Sequence, residues 1–287
     1  MSSTTRTINY ATKYHGAVDE RFKTDSVSND IVNQNYDWVG AKTVAIYNVS
    51  TADMNDYNRT GNISRYGVIE NLDAEKQEMV LSQDRSFTFA IDKMDEDETA
   101  GALEAGKALA RQIREKVIPE VDKYRINKIA AEAKTKKKAV LTKDNIYDAL
   151  LDATVALDNA EVPVVDRVLV VSPKTFKLMK ASKDIVMDTE IGQEERNRGT
   201  IAYVDGMRVK RIPSSRTSIE NFGFLVTHPS CTTAPVKLAE YKIHKDPVGI
   251  SGSLVEGRVY YDAFVPKNKK DGIYLHLDEQ DTTTPTP

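Results

Sequence analysis

The sequence predicts a mixed α+β protein, and three patterns carry that prediction. Apolar and polar residues alternate with period two over 76–92, which is typical of a long strand with one covered face. From residue 95 the apolar residues recur three and four positions apart, which indicates a long helix. The short apolar run at 167–173, RVLVVSP, is typical of a central strand covered on both faces.

The composition argues against several classes of function. The 287 residues suffice for two ordinary domains and a sizeable core. The formal net charge is only −3, so no global basic field attracts nucleic acid. No apolar run reaches the roughly 18 residues that a membrane span needs, and the start lacks the apolar core of a secretory signal. The single cysteine, Cys231, cannot form an internal disulfide, which fits a reducing cytoplasm.

The N-terminal stretch, residues 1–41, is polar, with scattered aromatic residues and no sustained period. It predicts an extended arm with at most a short helix around 15–23. Arms of this kind seldom order on their own, so we expect it to lie on another surface, often that of a neighbouring chain.

Residues 42–92 predict a long hairpin-like arm that leaves the body of the protein. KTVAIYNVS at 42–50 predicts one strand, and 76–92 predicts a second that could reach roughly 55 Å at about 3.3 Å per residue. The covered positions of the second strand share one parity: Met79, Leu81, Phe87, Phe89 and Ile91. The polar loop between the strands is long enough to indicate a function of its own.

Four consecutive acids stand where the long helix is expected to begin: Asp95, Glu96, Asp97 and Glu98. A helix N-terminus favours negative charge, so they are interpreted as its first turn. The apolar positions of the helix are Leu103, Gly106, Ala110, Ile113 and Val117, and Pro119 is expected to bend or restart it. A calcium loop is disfavoured because residue 100, where its turn glycine would stand, is alanine.

The second half of the chain predicts a compact α/β layer. The basic run KTKKK at 134–138 is interpreted as a solvated linker in preference to a phosphate contact. Thr142 is expected to cap the next helix, which Pro163 closes. Its apolar stripe is Ile146, Ala149, Leu150, Ala153, Leu157 and Ala160. Ser172 is expected to cap a shorter helix that begins at Pro173.

The remaining segments predict mostly strands. Asp205 and Gly206 indicate a hairpin turn, and FGFLVTHPS indicates a further strand. Three strands with alternating faces are expected in APVKLAEYKIHKDP, LVEGRVYYDAFV and DGIYLHLDE.

No set of residues predicts an active site. His228 and Cys231 lack the spacing of a nucleophile and its base, so a buried thiol at a strand end is favoured. The other histidines have no metal-ligand spacing: His15, His244 and His276. Whether carboxylates such as Glu256 and Asp262 pair in space is left open by the sequence. We therefore expect no catalytic residue, no cofactor and no metal.

The order of these parts resembles the major capsid proteins of tailed bacteriophages with the Hong Kong 97-type fold. Several stretches are similar to capsid proteins of phages or prophages of Gram-positive bacteria. They are NQNYDW (33–38), LSQDRSFTFAIDK (81–93), EAGKALARQIREKVIPEVDKYR (104–125), EYKIHKDPVGISG (240–252) and VEGRVYYDAFVPKNKKDGIY (255–274). The resemblance covers nearly the whole chain except the tail, and no single motif in it is diagnostic.

The resemblance implies a division of the chain into six parts. They are an N-terminal arm (1–41), an extended β-loop (42–93), a spine helix with the start of the peripheral domain (94–141), an axial domain (142–235), the peripheral-domain strands (236–277) and a disordered tail (278–287). It also implies that the loop at 182–199 lies near the axial tip, where five or six copies meet.

The resemblance further implies a structural protein of the virion and not an enzyme. Homo-pentamers and homo-hexamers would tile an icosahedral shell around double-stranded DNA, held non-specifically, after assembly in the host bacterial cytoplasm. A portal protein and a separate scaffolding protein are expected partners, and a membrane is not. Candidate contacts between subunits are Asp53, Asp56, Arg59 and Arg65, with solvated loop charges as the alternative.

Three alternatives remain open at this stage. An encapsulin-like cellular shell of the same fold would package cargo protein in place of DNA. Another virion or tail structural protein would form tubes or rings. An enzyme with a site assembled from scattered acids would be a stable monomer with a deep polar pocket.

Overall fold

A computed structural model describes residues 26–33, 43–49, 51–60, 64–69, 71, 74–99, 104–182, 185 and 203–279. Three predictions therefore lie wholly or mainly outside the described residues. They concern the N-terminal arm before residue 26, the loop at 182–199 and the tail beyond residue 279.

The described elements follow the order that the sequence predicts in outline. The strands are β1 (Thr43–Val49), β2 (Ala74–Val80), β3 (Gln83–Asp92), β4 (Thr135–Lys138), β5 (Val168–Val171), β6 (Tyr203–Val204), β7 (Met207–Arg211), β8 (Phe222–Thr227), β9 (Val236–Lys245), β10 (Gly252–Tyr261) and β11 (Ile273–Leu277). The helices are α1 (Lys93–Glu98), α2 (Ala105–Gln112), α3 (Ile118–Ala131), α4 (Ile146–Asn159) and α5 (Pro173–Ala181).

The main layer is a six-stranded sheet in the order β4-β11-β8-β5-β7-β6. All four residues of β5 are buried. Val168 and Val170 belong to the same core cluster as the buried residues of α3, while Leu169 and Val171 belong to the cluster of α4 and α5. Because successive side chains of a strand point to opposite faces, helices cover both sides of this sheet. The prediction of a covered central strand for RVLVVSP is confirmed.

A second, three-stranded sheet has the order β3-β10-β9, with antiparallel pairing throughout. Helix α2 packs on one of its faces, where Ala105 joins Ile91 and Val255 in a small core cluster. β1 and β2 form a separate antiparallel pair in which Thr43 is opposite Val80. The strand at 42–50 is therefore confirmed, and the hairpin-like arm is confirmed for the paired strands β1 and β2. Residues 83–92, which the prediction placed in the same arm, instead form β3 of the three-stranded sheet.

The single long strand expected at 76–92 is wrong, because β2 and β3 belong to different sheets. Leu81 and Ser82 separate them, and the side chain of Asp262 accepts hydrogen bonds from the Ser82 backbone nitrogen (2.9 Å) and hydroxyl (2.8 Å). The predicted parity holds on both sides of this break. Met79, Leu81 and Ile91 are buried, and Phe87 and Phe89 are half-buried.

The long helix expected from residue 95 is divided. The acidic residues lie in α1, a six-residue helix capped by Asp92, whose Oδ1 accepts from the Met94 nitrogen at 2.9 Å. Glu104 has extended backbone angles, so α2 starts anew after it. α2 then continues through a π-helical turn at Ile113–Val117 into α3. Pro119 has no N–H and cannot make the usual helical bond, and the wider turn before it accommodates this loss without ending the helix.

Two predictions near the start of the α/β layer are corrected. The basic run at 134–138 is not a linker, because β4 pairs in parallel with β11 at the edge of the large sheet. Thr142 is not the cap of α4. Asn145 precedes the helix, and the side-chain oxygen of Asn145 accepts from the Thr142 nitrogen at 2.7 Å.

Other local predictions are confirmed. The Ser172 hydroxyl accepts from the Thr175 nitrogen at 3.1 Å and caps α5, which starts at Pro173. Asp205 (φ 49°) and Gly206 (φ 73°) form the turn between β6 and β7. β11 does not alternate as expected, because it lies between β4 and β8 and its first four residues are buried.

Candidate interaction surface

The loop between β1 and β2 has no cover within the described part of the chain. Every residue of 51–60 is exposed. Met54 is 99% exposed, Tyr66 82% and Ile69 87%. Tyr57 and Val68 are exposed as well. A group of large apolar side chains on one excursion is more typical of a surface that binds another molecule than of scattered exposed residues.

The loop has local order of its own. The Asn58 nitrogen donates to the Arg65 carbonyl oxygen at 2.9 Å, which joins its two limbs. Beside this bond the rings of Tyr57 and Tyr66 pack edge to face, 5.0 Å between centroids. The Ser64 hydroxyl donates to the carbonyl oxygen of Gly67, whose φ of 88° suits glycine. These contacts shape the loop and leave its apolar side chains exposed.

The predicted contact residues Asp53, Asp56, Arg59 and Arg65 all lie on this loop and are exposed. Within the described residues, no carboxylate or cation lies in ion-pair range of Asp53, Asp56 or Arg59. The Arg65 carbonyl closes the loop through Asn58. The structure thus gathers the four residues on one excursion, and their contact with other subunits stays a prediction.

Asp262 fixes the base of the arm to the body. It is 2% exposed, and its Oδ1 accepts from the Tyr124 hydroxyl of α3 at 2.7 Å, while its Oδ2 accepts from Ser82. Met79 and Leu81 pack beside it against Tyr260 and Phe264. The arm therefore leaves the body from a buried, hydrogen-bonded junction.

A buried polar cluster fixes the start of the described chain to α3. The carboxylate of Asp122 is fully buried and accepts from the hydroxyls of Ser26 and Ser28, each at 2.6 Å. It also accepts from the Val27 nitrogen at 3.0 Å, and it pairs with the buried guanidinium of Arg216. Residues 26–28 are thus held at a defined point on α3.

Arg125, one turn after Asp122, extends this cluster. Its Nη1 donates to the Ser28 hydroxyl at 3.1 Å and to Asn29 at 3.0 Å, and its Nη2 donates to the Ala234 carbonyl at 3.2 Å. Sequence reasoning missed both residues. The available signal was their position, because Asp122 and Arg125 fall on the same helical face as Ile126 and Ile129. A charged pair within an apolar stripe indicates a buried polar cluster.

No family model matches the chain, and no curated protein matches it. A solved structure from Mycobacterium phage Che8 is similar, with a TM-score of 0.71, 19% identity and coverage of 96% of this chain and 97% of that chain. A chain of the mature capsid of bacteriophage PhiM1 gives a TM-score of 0.71 at 16% identity, over 96% and 93% of the two chains. The capsid of Cyanophage P-SCSP1u gives 0.68 at 13%, over 93% and 92%.

This chain has the Hong Kong 97-type capsid fold. The likeness extends over nearly the full length of both chains in each comparison. The mixed α+β class and the fold that the resemblance implied are therefore confirmed.

His228 and Cys231, the pair that the sequence considered as base and nucleophile, both have defined surroundings in this fold. The Cys231 thiol is buried, and burial raises its pKa, which disfavours the reactive thiolate. His228 is occupied on both ring nitrogens, by the Ser230 hydroxyl at 2.7 Å and by the Val165 carbonyl at 3.0 Å. The burial of the thiol that the sequence favoured is thus confirmed, although Cys231 lies in a short 3-10 turn (Pro229–Cys231) after β8 and not at the end of the strand.

The carboxylates left open by the sequence do not come together in the capsid fold. Asp262 is buried beside Tyr124, whereas Glu256 lies on the exposed face of β10, 3.3 Å from the His244 ring nitrogen. Among the described residues, no three histidine, cysteine or acidic side chains group closely enough to hold a metal ion. No described helix has both the length and the apolar character needed to cross a bilayer.

Three lysines of the basic run at 134–138 have acidic partners in this chain, and Lys136 donates instead to the Ala131 carbonyl oxygen at 2.6 Å. Lys134 pairs with Asp271 and Lys138 with Glu279, each at 2.7 Å, and Lys137 pairs with Asp152. Intrachain pairing of this kind reduces the net field that a phosphate backbone would meet. Exposed lysines along an edge strand also discourage pairing with another sheet.

Proposed function

We propose that this chain is the major capsid protein of a tailed bacteriophage, a structural protein and not an enzyme. It self-assembles into homo-pentamers and homo-hexamers of an icosahedral shell. One observation carries the proposal: the fold matches phage capsid structures over almost the entire length of both chains. The matches are too distant in sequence to carry function by identity, so architecture is the basis of the proposal.

The exposed loop supplies a physical reason for assembly. Its five large apolar side chains are Met54, Tyr57, Tyr66, Val68 and Ile69. Burying one such side chain is worth about 1.5–3 kcal/mol, against which association costs translational freedom and loop ordering. Each subunit docks its loop on one neighbour and is contacted by the loop of another. The free energy of burying these side chains is therefore gained once per subunit around a closed shell. Asp53, Asp56, Arg59 and Arg65 add charged contacts to that interface.

The N-terminal arm has a corresponding role in the proposal. The cluster around Asp122 holds Ser26 and Ser28 to α3. We assign 1–41 to the N-terminal arm, whose described part, 26–33, packs on α3 and the core of its own chain, and 42–93 to the extended loop. The further division is a spine helix at 94–141, an axial domain at 142–235, peripheral strands at 236–277 and a tail at 278–287.

The partners follow from the same proposal. The shell encloses double-stranded DNA without sequence recognition, and it is built in the host bacterial cytoplasm with a scaffolding protein and a portal protein. The finished location is the virion. The three similar structures described above come from phages, which favours a DNA-containing shell over a cellular shell with protein cargo.

Assembly of the purified chain tests the proposal. We expect size-exclusion chromatography, with and without a scaffolding protein of the same phage, to yield a large species that negative-stain microscopy resolves as closed shells. Nuclease-protected DNA inside particles from infected cells would separate a phage capsid from a cargo shell. Tubes or open rings would support another virion protein, and a chain that stays monomeric under all conditions would contradict the shell.

A further inference from the structure

A cleft of about 270 Å³ opens between the three-stranded sheet and the long helix. Its apolar lining consists of Phe87, Val117, Val121, Val259 and Tyr261. The polar residues around it are Arg85, Ser86, Gln112, Lys116 and Glu120. The cleft lies beside the π-helical turn, which supplies Lys116 and Val117. It is therefore an apolar cleft with a charged rim, formed by β3 and β10 on one side and by α2, the π-helical turn and α3 on the other.

The rim carries an excess of positive charge. Arg85 and Glu120 form an ion pair at 2.6 Å across the cleft mouth. Lys116 is exposed, and no carboxylate lies in ion-pair range of it within the described residues. Burial raises the pKa of Tyr261 to about 12, so its hydroxyl stays neutral and adds no negative charge to the floor. An occupant with an apolar group next to acids would match this surface.

The first limb of the exposed loop has that chemistry. Residues 51–58, TADMNDYN, place the fully exposed Met54 between Asp53 and Asp56. Methionine is unbranched and adapts to irregular hollows. Within the described part of the chain Met54 is 99% exposed, and no residue of 51–60 or 64–69 lines the cleft. The same segment of a second copy carries the apolar and acidic groups that this cleft matches.

We propose that Met54 of one subunit inserts into this cleft of a second copy, with its flanking acids facing Lys116. This inference rests on the proposed function and specifies which surfaces meet in the shell. The contact is heterologous, because the loop of one chain meets the cleft of the next, and repetition closes a ring.

Disulfide trapping tests the contact in assembled particles. A chain with Met54→Cys and Val121→Cys is expected to give covalent ladders on non-reducing gels that collapse to monomer on reduction. Each single substitution is a control, as is Met54→Cys with Val155→Cys, because Val155 is an exposed helical valine that does not line the cleft. Native Cys231 is buried and contributes no background.

Charge reversal gives an independent measurement. Lys116→Glu is expected to reduce particle yield by about tenfold or more, since like charges then face each other. Adding Asp56→Lys to Lys116→Glu is expected to restore most of the yield. Lys123→Glu, an exposed change on the same helix but outside the cleft, should assemble like the wild type. Circular dichroism and monomer elution confirm that each variant folds.

The outcomes separate this inference from the proposed function. If the Met54→Cys, Val121→Cys variant forms intact shells without the cross-link, the proposed docking is wrong and the proposed shell is unaffected. Shells from Lys116→Glu at wild-type yield overturn the docking as well. A wild-type chain that never assembles overturns both the docking and the shell. A specific ladder together with charge rescue supports both.

Discussion

Asp122 shows how one side chain can hold a terminal segment to a helix. Its carboxylate neutralises the buried Arg216 and accepts four hydrogen bonds from Ser26, Val27 and Ser28. Arg125 is also buried, and burial lowers its pKa while Asp122 opposes that change. A buried charge is tolerated only when its partners are present.

Asp122→Ala should therefore destabilise the fold strongly. It leaves two buried guanidinium groups without their acid, and we expect a loss of about 3–5 kcal/mol in the free energy of unfolding. Urea denaturation of the unassembled chain measures it. Lys123→Ala, the exposed neighbour on the same helix, should change stability by less than about 0.5 kcal/mol. If Asp122→Ala and Lys123→Ala lowered the free energy of unfolding equally, Asp122 would not hold residues 26–28 to α3.

His276 gives a residue-scale prediction about pH. It is fully buried, its Nε2 lies 3.0 Å from the Ala139 carbonyl, and its ring stacks on Phe224. Burial lowers its pKa, and the nearby Lys137 acts in the same direction, while Asp278 and Asp152 oppose it. The unfolded chain then binds more protons than the folded chain below about pH 6.5, so stability falls as the pH falls.

The slope due to this histidine is at most about 1.4 kcal/mol per pH unit. Unfolding free energies measured between pH 7.5 and 5.5 should fall less steeply for His276→Gln, whose amide can still donate to Ala139. The wild type and His276→Gln contain the same carboxylates, so the difference between their slopes of unfolding free energy against pH is due to His276. Parallel slopes would show that His276 does not titrate differently on folding.

At the scale of elements, two glycines make opposite predictions for the same substitution. A Cβ at Gly257 of β10 would meet the Phe87 ring and lie 2.9 Å from the Tyr241 ring. These two rings stack across the glycine with centroids 6.2 Å apart. Gly106 lies on α2, and a Cβ there meets nothing within 4 Å.

Gly257→Ala should cost about 1–3 kcal/mol, because the aromatic pair must move. Gly106→Ala should stabilise the fold by about 0.5–1 kcal/mol, because alanine is the better helix former and the site is open. Thermal and urea unfolding of the two variants compare them directly. If Gly257→Ala also stabilised the fold, the Phe87 and Tyr241 rings would be able to move aside without loss of stability.

The sequence predicted elements better than it predicted their junctions. The covered run at 168–171, the Ser172 cap and the parity of 79–91 depend on local pattern, and all were confirmed. The break at Ser82 depends on Asp262, which is 180 residues away, and no local pattern reveals it. β4 looked like a linker because its lysines are charged, yet its hydrogen bonds come from β11. The exposed loop was predicted from its length. The helical pattern could have placed Asp122 and Arg125 on the buried face of α3, but their partners Ser26, Ser28 and Ala234 lie about 100 residues away in sequence and follow only from the fold.

At the scale of the whole molecule, two regions differ in how they are covered. The body has two cores, one on each face of the six-stranded sheet, and the base of the arm is pinned at Asp262. The described loop at 51–60 and 64–69 has no buried residue. A chain that folds stably and still exposes such a loop is suited to complete its packing on other copies.

Limited proteolysis distinguishes a loop that is covered in the assembly from one that stays exposed. In unassembled subunits, trypsin should cut after Arg59 and Arg65 and create chains that begin at Thr60 and Tyr66, because both sites are exposed. In shells the same cuts should be at least about tenfold slower, since cleavage then requires local opening of the interface. Mass spectrometry of the fragments from both fractions identifies cleavage at these two sites separately from cleavage elsewhere. A variant with Arg59→Gln and Arg65→Gln gives the amount of cleavage at other sites. Dissociating the shells with mild denaturant should restore both cuts, whereas equal rates before and after dissociation would mean that neighbouring subunits do not cover the loop.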